Sequence, residues 1–140
     1  MGTEWREQRE RAAAVHAAAA AREREREAGQ ARRLVADFVR QARAGGLPAT
    51  RLRATAYGGG ASYRTSLHGW YLKRDRSLAA GLDGELYLLT VPAGWRARLA
   101  GAAPTPYEPR LVIGRGGRDG ESIPLEVLLQ RRLDAGTDWP

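Results

Sequence analysis

The sequence predicts an α+β fold: a long N-terminal helix, an antiparallel β-meander of four to six strands and a C-terminal helix. Three observations carry this expectation. Residues 4–44 are strong helix formers almost throughout and include no proline. Residues 50–57, "TRLRATAY", alternate apolar and polar side chains with the period of a half-buried strand. Asp83-Gly84, set between the apolar runs "SLAAGL" and "ELYLLTV", is a hairpin dipeptide.

The helix has two parts. Between residues 5 and 27 its apolar side chains are nearly all alanine, so it has no wide hydrophobic stripe with which to dock. "REREREA" places opposite charges at i,i+3 but like charges at i,i+4, and the net support is small. Residues 1–30 are therefore expected to form an exposed Ala/Arg/Glu-rich arm. From Ala31 the pattern changes: Ala31, Leu34, Val35, Phe38 and Ala42 share one face. Gly45-Gly46, with Pro48 just beyond, supplies the stop.

In "TRLRATAY", Leu52, Ala54 and Ala56 point inward, and Arg51, Arg53, Thr55 and Tyr57 point outward. "GGGAS" then reads as a loop and "YRTSLHGWYL" as a second strand with Trp70 and Leu72 in the core. "ELYLLTV" is apolar on both faces and reads as a central strand covered on both sides. "PAGWRARLAGAAPTPYEPR" reads as a turn or two of helix pairing Trp95 with Leu99, followed by an extended connector through Pro104, Pro106 and Pro109. "LVIG" is a short strand. "ESIPLEVLLQRRL" is a helix entered through Ser122 as cap, with Leu125, Leu128, Leu129 and Leu133 inward. One domain over residues 31–134 results, followed by a loose tail over 135–140.

The length of 140 residues suits one domain. The hydrophobic fraction of 43% overstates the core, because 25 of those residues are alanine. The absence of cysteine excludes a disulfide framework and any thiolate metal site, and it fits a reducing compartment. "MGTEWREQRE" is too charged for a signal peptide, and no segment approaches the ~18 apolar residues of a membrane span. A cytoplasmic address without a membrane partner is expected. Lys73 is the one lysine among 23 basic residues. With so much Ala and Gly, this matches the codon bias of a GC-rich bacterial genome. Arginine enrichment alone is therefore no evidence of phosphate contacts, although the net charge of +7 attracts polyanions whatever its origin.

Location is more informative than total charge. Residues 45–76 hold six cations against Asp75 alone, which is +5 of the net +7. Cations spaced for phosphates and flat rings for bases define a nucleic-acid surface. Arg51, Arg53, Tyr57, Arg64, Lys73, Arg74 and Arg76 are the candidates for weak, salt-sensitive contacts to DNA or RNA. The plain alternative is a sheet with an arginine rim. A second functional class is an adaptor that binds a protein partner through the N-terminal helix and an exposed Trp5 or Trp139. Arg131 and Arg132 read as a cation pair away from the strand face.

Catalytic chemistry finds little material here. "GRGGRDG", residues 114–120, sits between a strand and a helix, but a G-x-G-x-x-G phosphate loop would need glycine where Asp119 stands, so a turn is expected. His16 and His68 have no carboxylate cluster or cysteine with which to build a zinc site. Ser66 and His68, with Asp75 as orienter, form only a loose nucleophile–base set. No catalytic residue, metal or cofactor is expected.

Overall fold

Helix α1 runs unbroken over Gly2–Ala44 in the computed structural model, which describes residues 2–114 and 122–139. At ~1.5 Å per residue it is about 65 Å long. Residues 2–26 are exposed on every face, and burial begins in earnest at Ala31, where the alanine pattern gives way to larger side chains. Glu27 already touches the domain, its Oε1 accepting the Leu111 N–H at 3.0 Å. The inner stripe is Ala31, Val35, Phe38, Val39 and Ala42.

Five strands follow: β1 (Thr50–Ala56), β2 (Ser62–Tyr71), β3 (Leu78–Gly81), β4 (Leu86–Leu88) and β5 (Thr90–Val91). They form one mostly antiparallel sheet in the order β4-β3-β2-β1-β5, with β5 parallel to β1. The expected central strand "ELYLLTV" is thus neither central nor one strand. Its two halves lie at opposite edges of the sheet. Because only Leu89 separates them, the sheet is rolled until its edges meet. Leu89 donates its N–H to Ser77 O at 2.8 Å on one side and accepts the Thr55 N–H at 2.7 Å on the other. Apolar residues on both faces do suit a doubly covered strand, but that strand is β3. Ala79 faces an inner cluster with Leu52, Tyr87 and Leu89, whereas Leu78 and Ala80 face the helices.

The hairpin forms as expected, over a slightly longer loop. The Gly84 N–H returns to Gly81 O at 3.0 Å and Gly81 N–H bonds Glu85 O at 2.8 Å, with Gly84 at φ 83°. Asp83 secures it twice, accepting the Glu85 N–H at 2.9 Å and the Tyr87 hydroxyl at 2.5 Å.

Outside the rolled sheet, Trp70 of β2 and Leu72 just after it pack under α1 and the last helix, α3 (Leu125–Ala135). Phe38 meets Trp70 edge-to-face, ring centroids 5.7 Å apart, and Trp70 Nε1 donates to Leu47 O at 3.1 Å. Each such ring contributes roughly 1.5–3 kcal/mol by leaving water. Leu125, Leu128 and Leu129 are buried as expected, but Ser122 does not cap the helix. The helix opens at Leu125, because Ile123–Pro124 (β7) pairs with Val112–Ile113 (β6) and the Leu125 N–H is taken by Leu111 O at 2.7 Å. Between the sheet and β6 lie a short helix, α2 (Trp95–Ala100), and the proline connector, which runs beside β4 through a Tyr87–Pro106 bridge. The expected Trp95–Leu99 pairing and the "GRGGRDG" turn beyond Gly114 fall outside the described residues.

The tail is not loose. The ring of Trp139 is met by two guanidiniums, Arg132 Cζ at 5.0 Å and Arg74 Cζ at 5.3 Å from its centroid. The exposed Trp139 expected of an adaptor is therefore corrected, while Trp5 remains exposed near the far end of the arm.

Candidate nucleic-acid interface

Strand alternation sends Arg51, Arg53 and Thr55 of β1 to the solvent face, and Tyr57, the residue after its end, is exposed as well. Antiparallel pairing sets them beside Ser62, Arg64, Ser66 and His68 of β2, all exposed, with Arg53 opposite Arg64 and Arg51 opposite His68. The register shifts between Arg51 and Arg53. There Thr65, buried, takes over part of the ladder: its Oγ1 donates to Leu52 O at 2.6 Å and accepts the Leu67 N–H at 3.1 Å. No Asp or Glu occurs in the chain between Asp37 and Asp75, so this face carries cations without an acidic side chain of its own strands. Cations directly opposite one another repel. The Arg53 guanidinium is steadied by Ser62, through Nε to Oγ at 2.9 Å and NH2 to the carbonyl at 3.2 Å.

The seven predicted residues fall in four places, Arg53 belonging to two of them. Arg53 and Arg64 lie side by side in mid-face. Tyr57, 61% exposed, stands at the far end of β1, six residues and about 20 Å from Arg51 at ~3.4 Å per residue. Arg51 and Arg53 also line a cleft of about 400 Å³ at the other end, where Arg76 joins them from the β2–β3 loop. Lys73 and Arg74 stand apart, lining a second cavity on the far side of Trp139 together with Asp75 and Asp134. Those two are not brought to the strand face.

The cleft contains residues that sequence reasoning missed. Tyr71 lines it, its hydroxyl accepting the Arg53 backbone N–H at 2.9 Å, with Arg76 Cζ 5.4 Å from its ring centroid. Arg132 lines it too, so the two cations expected to lie away from the strand face part company: Arg131 is exposed, but Arg132 is only 6% exposed. Arg132 donates Nε to Tyr71 O at 2.9 Å and NH1 to Gly136 O at 2.8 Å. Burial lowers its guanidinium below the ordinary arginine value. The signal was present in the sequence, because Arg132 falls four residues after Leu128 and three after Leu129, on the apolar stripe of α3.

The weak catalytic set comes apart. Asp75 is committed to Ser77, accepting its N–H at 3.0 Å and its hydroxyl at 2.6 Å. Burial raises the Asp75 carboxyl, but those two bonds and nearby Lys73 outweigh it and leave it below the usual carboxylate value. Ser66 and His68 are exposed on the strand face, without a carboxylate partner among the described residues. Among the described residues no group of three His, Asp or Glu side chains stands close enough to hold a metal ion, and no helix is long and apolar enough to cross a membrane. Comparison with family models, with curated proteins and with solved structures finds no match to this chain.

Proposed function

We propose that this is a non-enzymatic, cytoplasmic protein that binds single-stranded nucleic acid, largely without regard to sequence, along the β1–β2 face. The observation that supports the reading is the alignment of Arg51, Arg53 and Arg64 on one exposed two-strand surface whose strands contain no carboxylate. Alternate residues on a strand stand roughly 6.5–7 Å apart, close to the spacing of successive phosphates in a flexible strand. Tyr57 offers a ring to a base at one end, worth ~1–3 kcal/mol if stacked.

The test is fluorescence anisotropy with hydroxyl-ended oligonucleotides over a salt series. Three phosphate contacts predict a log–log slope of about −2 for a single strand. Arg53→Glu with Arg64→Glu should abolish binding. Arg22→Glu with Arg24→Glu, the same charge change on the exposed arm, should weaken it slightly. Equal losses in the two double variants would reduce the attraction to net charge and remove the face as a site.

One observation favours a second reading. Residues 2–26 project as solvated helix, with Trp5 59% exposed and Arg9 Cζ 4.1 Å above its ring. A protein partner seated on this arm would bind with little salt dependence, in contrast to phosphate contacts.

A further inference from the structure

Arg132 presents an unsettled account of charge. A buried cation is costly unless paired, yet among the described residues its hydrogen bonds go to two carbonyl oxygens, and no described carboxylate lines the cleft it borders. A guanidinium has five N–H donors, and those bonds use two, leaving three. Trp139, which also lines the cleft, has a buried Nε1 that finds no acceptor among the described residues. The Arg51 side chain forms no hydrogen bond or ion pair with a described residue, and among the described residues the Arg76 guanidinium has only its stack on Tyr71. Arg76 is moreover the one described non-glycine residue at positive φ, 61°. Strain of this kind costs about 1–3 kcal/mol and is retained where surroundings or function demand it.

We propose that this cleft is the seat of a phosphate monoester, held by Arg51, Arg76 and Arg132 with Trp139 Nε1 as an added donor: the phosphorylated end of a strand lying along β1–β2, or a free mononucleotide. A backbone diester brings one negative charge, whereas a monoester carries about −1.5 to −2 near pH 7. Several guanidiniums around one cavity of about 400 Å³ match the higher charge. The terminal-phosphate form rests on the strand-face reading above; the mononucleotide form does not.

The experiment compares one oligonucleotide sequence with a 5′-phosphate, a 3′-phosphate or hydroxyl ends, and in calorimetry a 5′-mononucleotide with its nucleoside. One phosphorylated end should bind about tenfold tighter than its hydroxyl twin, with the preference fading below pH ~6 as the monoester loses charge. In Arg51→Gln with Arg76→Gln the ratio between twins should fall to near one. In Trp139→Phe, which keeps the ring and removes the N–H, it should fall several-fold, with circular dichroism unchanged in both. If hydroxyl-ended strands fail to bind while the mononucleotide binds and the nucleoside does not, the seat stands and the strand-face reading falls. Twins of equal affinity together with a silent mononucleotide overturn the seat. So does a phosphate preference that survives in Arg51→Gln with Arg76→Gln.

Discussion

Arg132 and Trp139 hold each other in place: the guanidinium lies 5.0 Å from the indole centroid while its Nε and NH1 bridge Tyr71 of the sheet and Gly136 at the end of α3. One side chain thus ties sheet, helix and C-terminal segment together. Arg132→Met keeps the apolar stem but strands two carbonyls, and it should cost about 2–4 kcal/mol in urea unfolding. Arg131→Met, on the exposed side, should stay within about 0.5 kcal/mol. Equal effects would mean that Arg132 does not bridge these elements.

Tyr87 makes stability fall at high pH. The hydrogen bond to Asp83, with burial and nearby Asp83 and Glu85 charge, raises its hydroxyl from 10.0 to about 12. A group whose folded pKa is raised contributes fully below its unfolded value and loses that contribution as pH climbs through the folded one. Stability should therefore drop between pH 10 and about 12, by up to ~2–3 kcal/mol. Tyr87→Phe should be less stable at pH 8 and show a flatter profile across that window.

Two glycines should differ sharply. A Cβ on Gly69 would sit 2.0 Å from Ala80 O and 2.8 Å from Gly81 Cα, so β2 and β3 would have to separate. Gly69→Ala should cost about 3 kcal/mol or more. Gly84→Ala meets no atom within 4 Å and incurs only the strain of φ 83°, about 1 kcal/mol. Comparable losses by chemical denaturation would contradict the close approach of the two strands.

Removing residues 1–26 should leave the thermal midpoint nearly unchanged, since residues 2–26 are exposed. Extending the deletion through residue 30 removes the Glu27–Leu111 bond, and at about 1 kcal/mol should lower the midpoint by roughly 4–8 °C. A large shift from the shorter deletion would show that the arm packs on the domain.

Arg76→Gly separates strain from binding. Relief of the positive φ and loss of the Tyr71 stack should nearly cancel, leaving stability within about 1 kcal/mol. Affinity for a phosphorylated end should fall nonetheless. Unchanged affinity would exclude Arg76 from the cleft's chemistry.

Local pattern made much of this legible. The change at Ala31, the β1 alternation and the Asp83-Gly84 turn are written in neighbouring residues, and so is the exposure of Arg51 and Arg53. Sheet closure was not legible, because alternation says which side a residue faces and nothing about which strand lies alongside. Leu86 and Val91 look alike in sequence yet sit at opposite edges. The stripe of α3 placed Arg132 inward, but what receives its charge, and the docking of Trp139 beside it, were hidden for a related reason. An arginine enters a core only where distant carbonyls receive it, and Tyr71 lies 61 positions away.

The meeting of the sheet edges at Leu89 bears on how the protein avoids self-assembly. Residues 86–91, "LYLLTV", are uncharged, free of proline and rich in β-formers, the composition of segments that stack into cross-β fibrils. Such a segment is dangerous on an open edge, where unpaired backbone recruits another chain. Here it is hydrogen-bonded toward β3 at one end and β1 at the other. Thr55→Pro, outside the segment, would remove the N–H that reaches Leu89 O and release the β1 side of this latch while leaving residues 86–91 intact. The variant should fibrillise during incubation under conditions in which the parent chain stays clear.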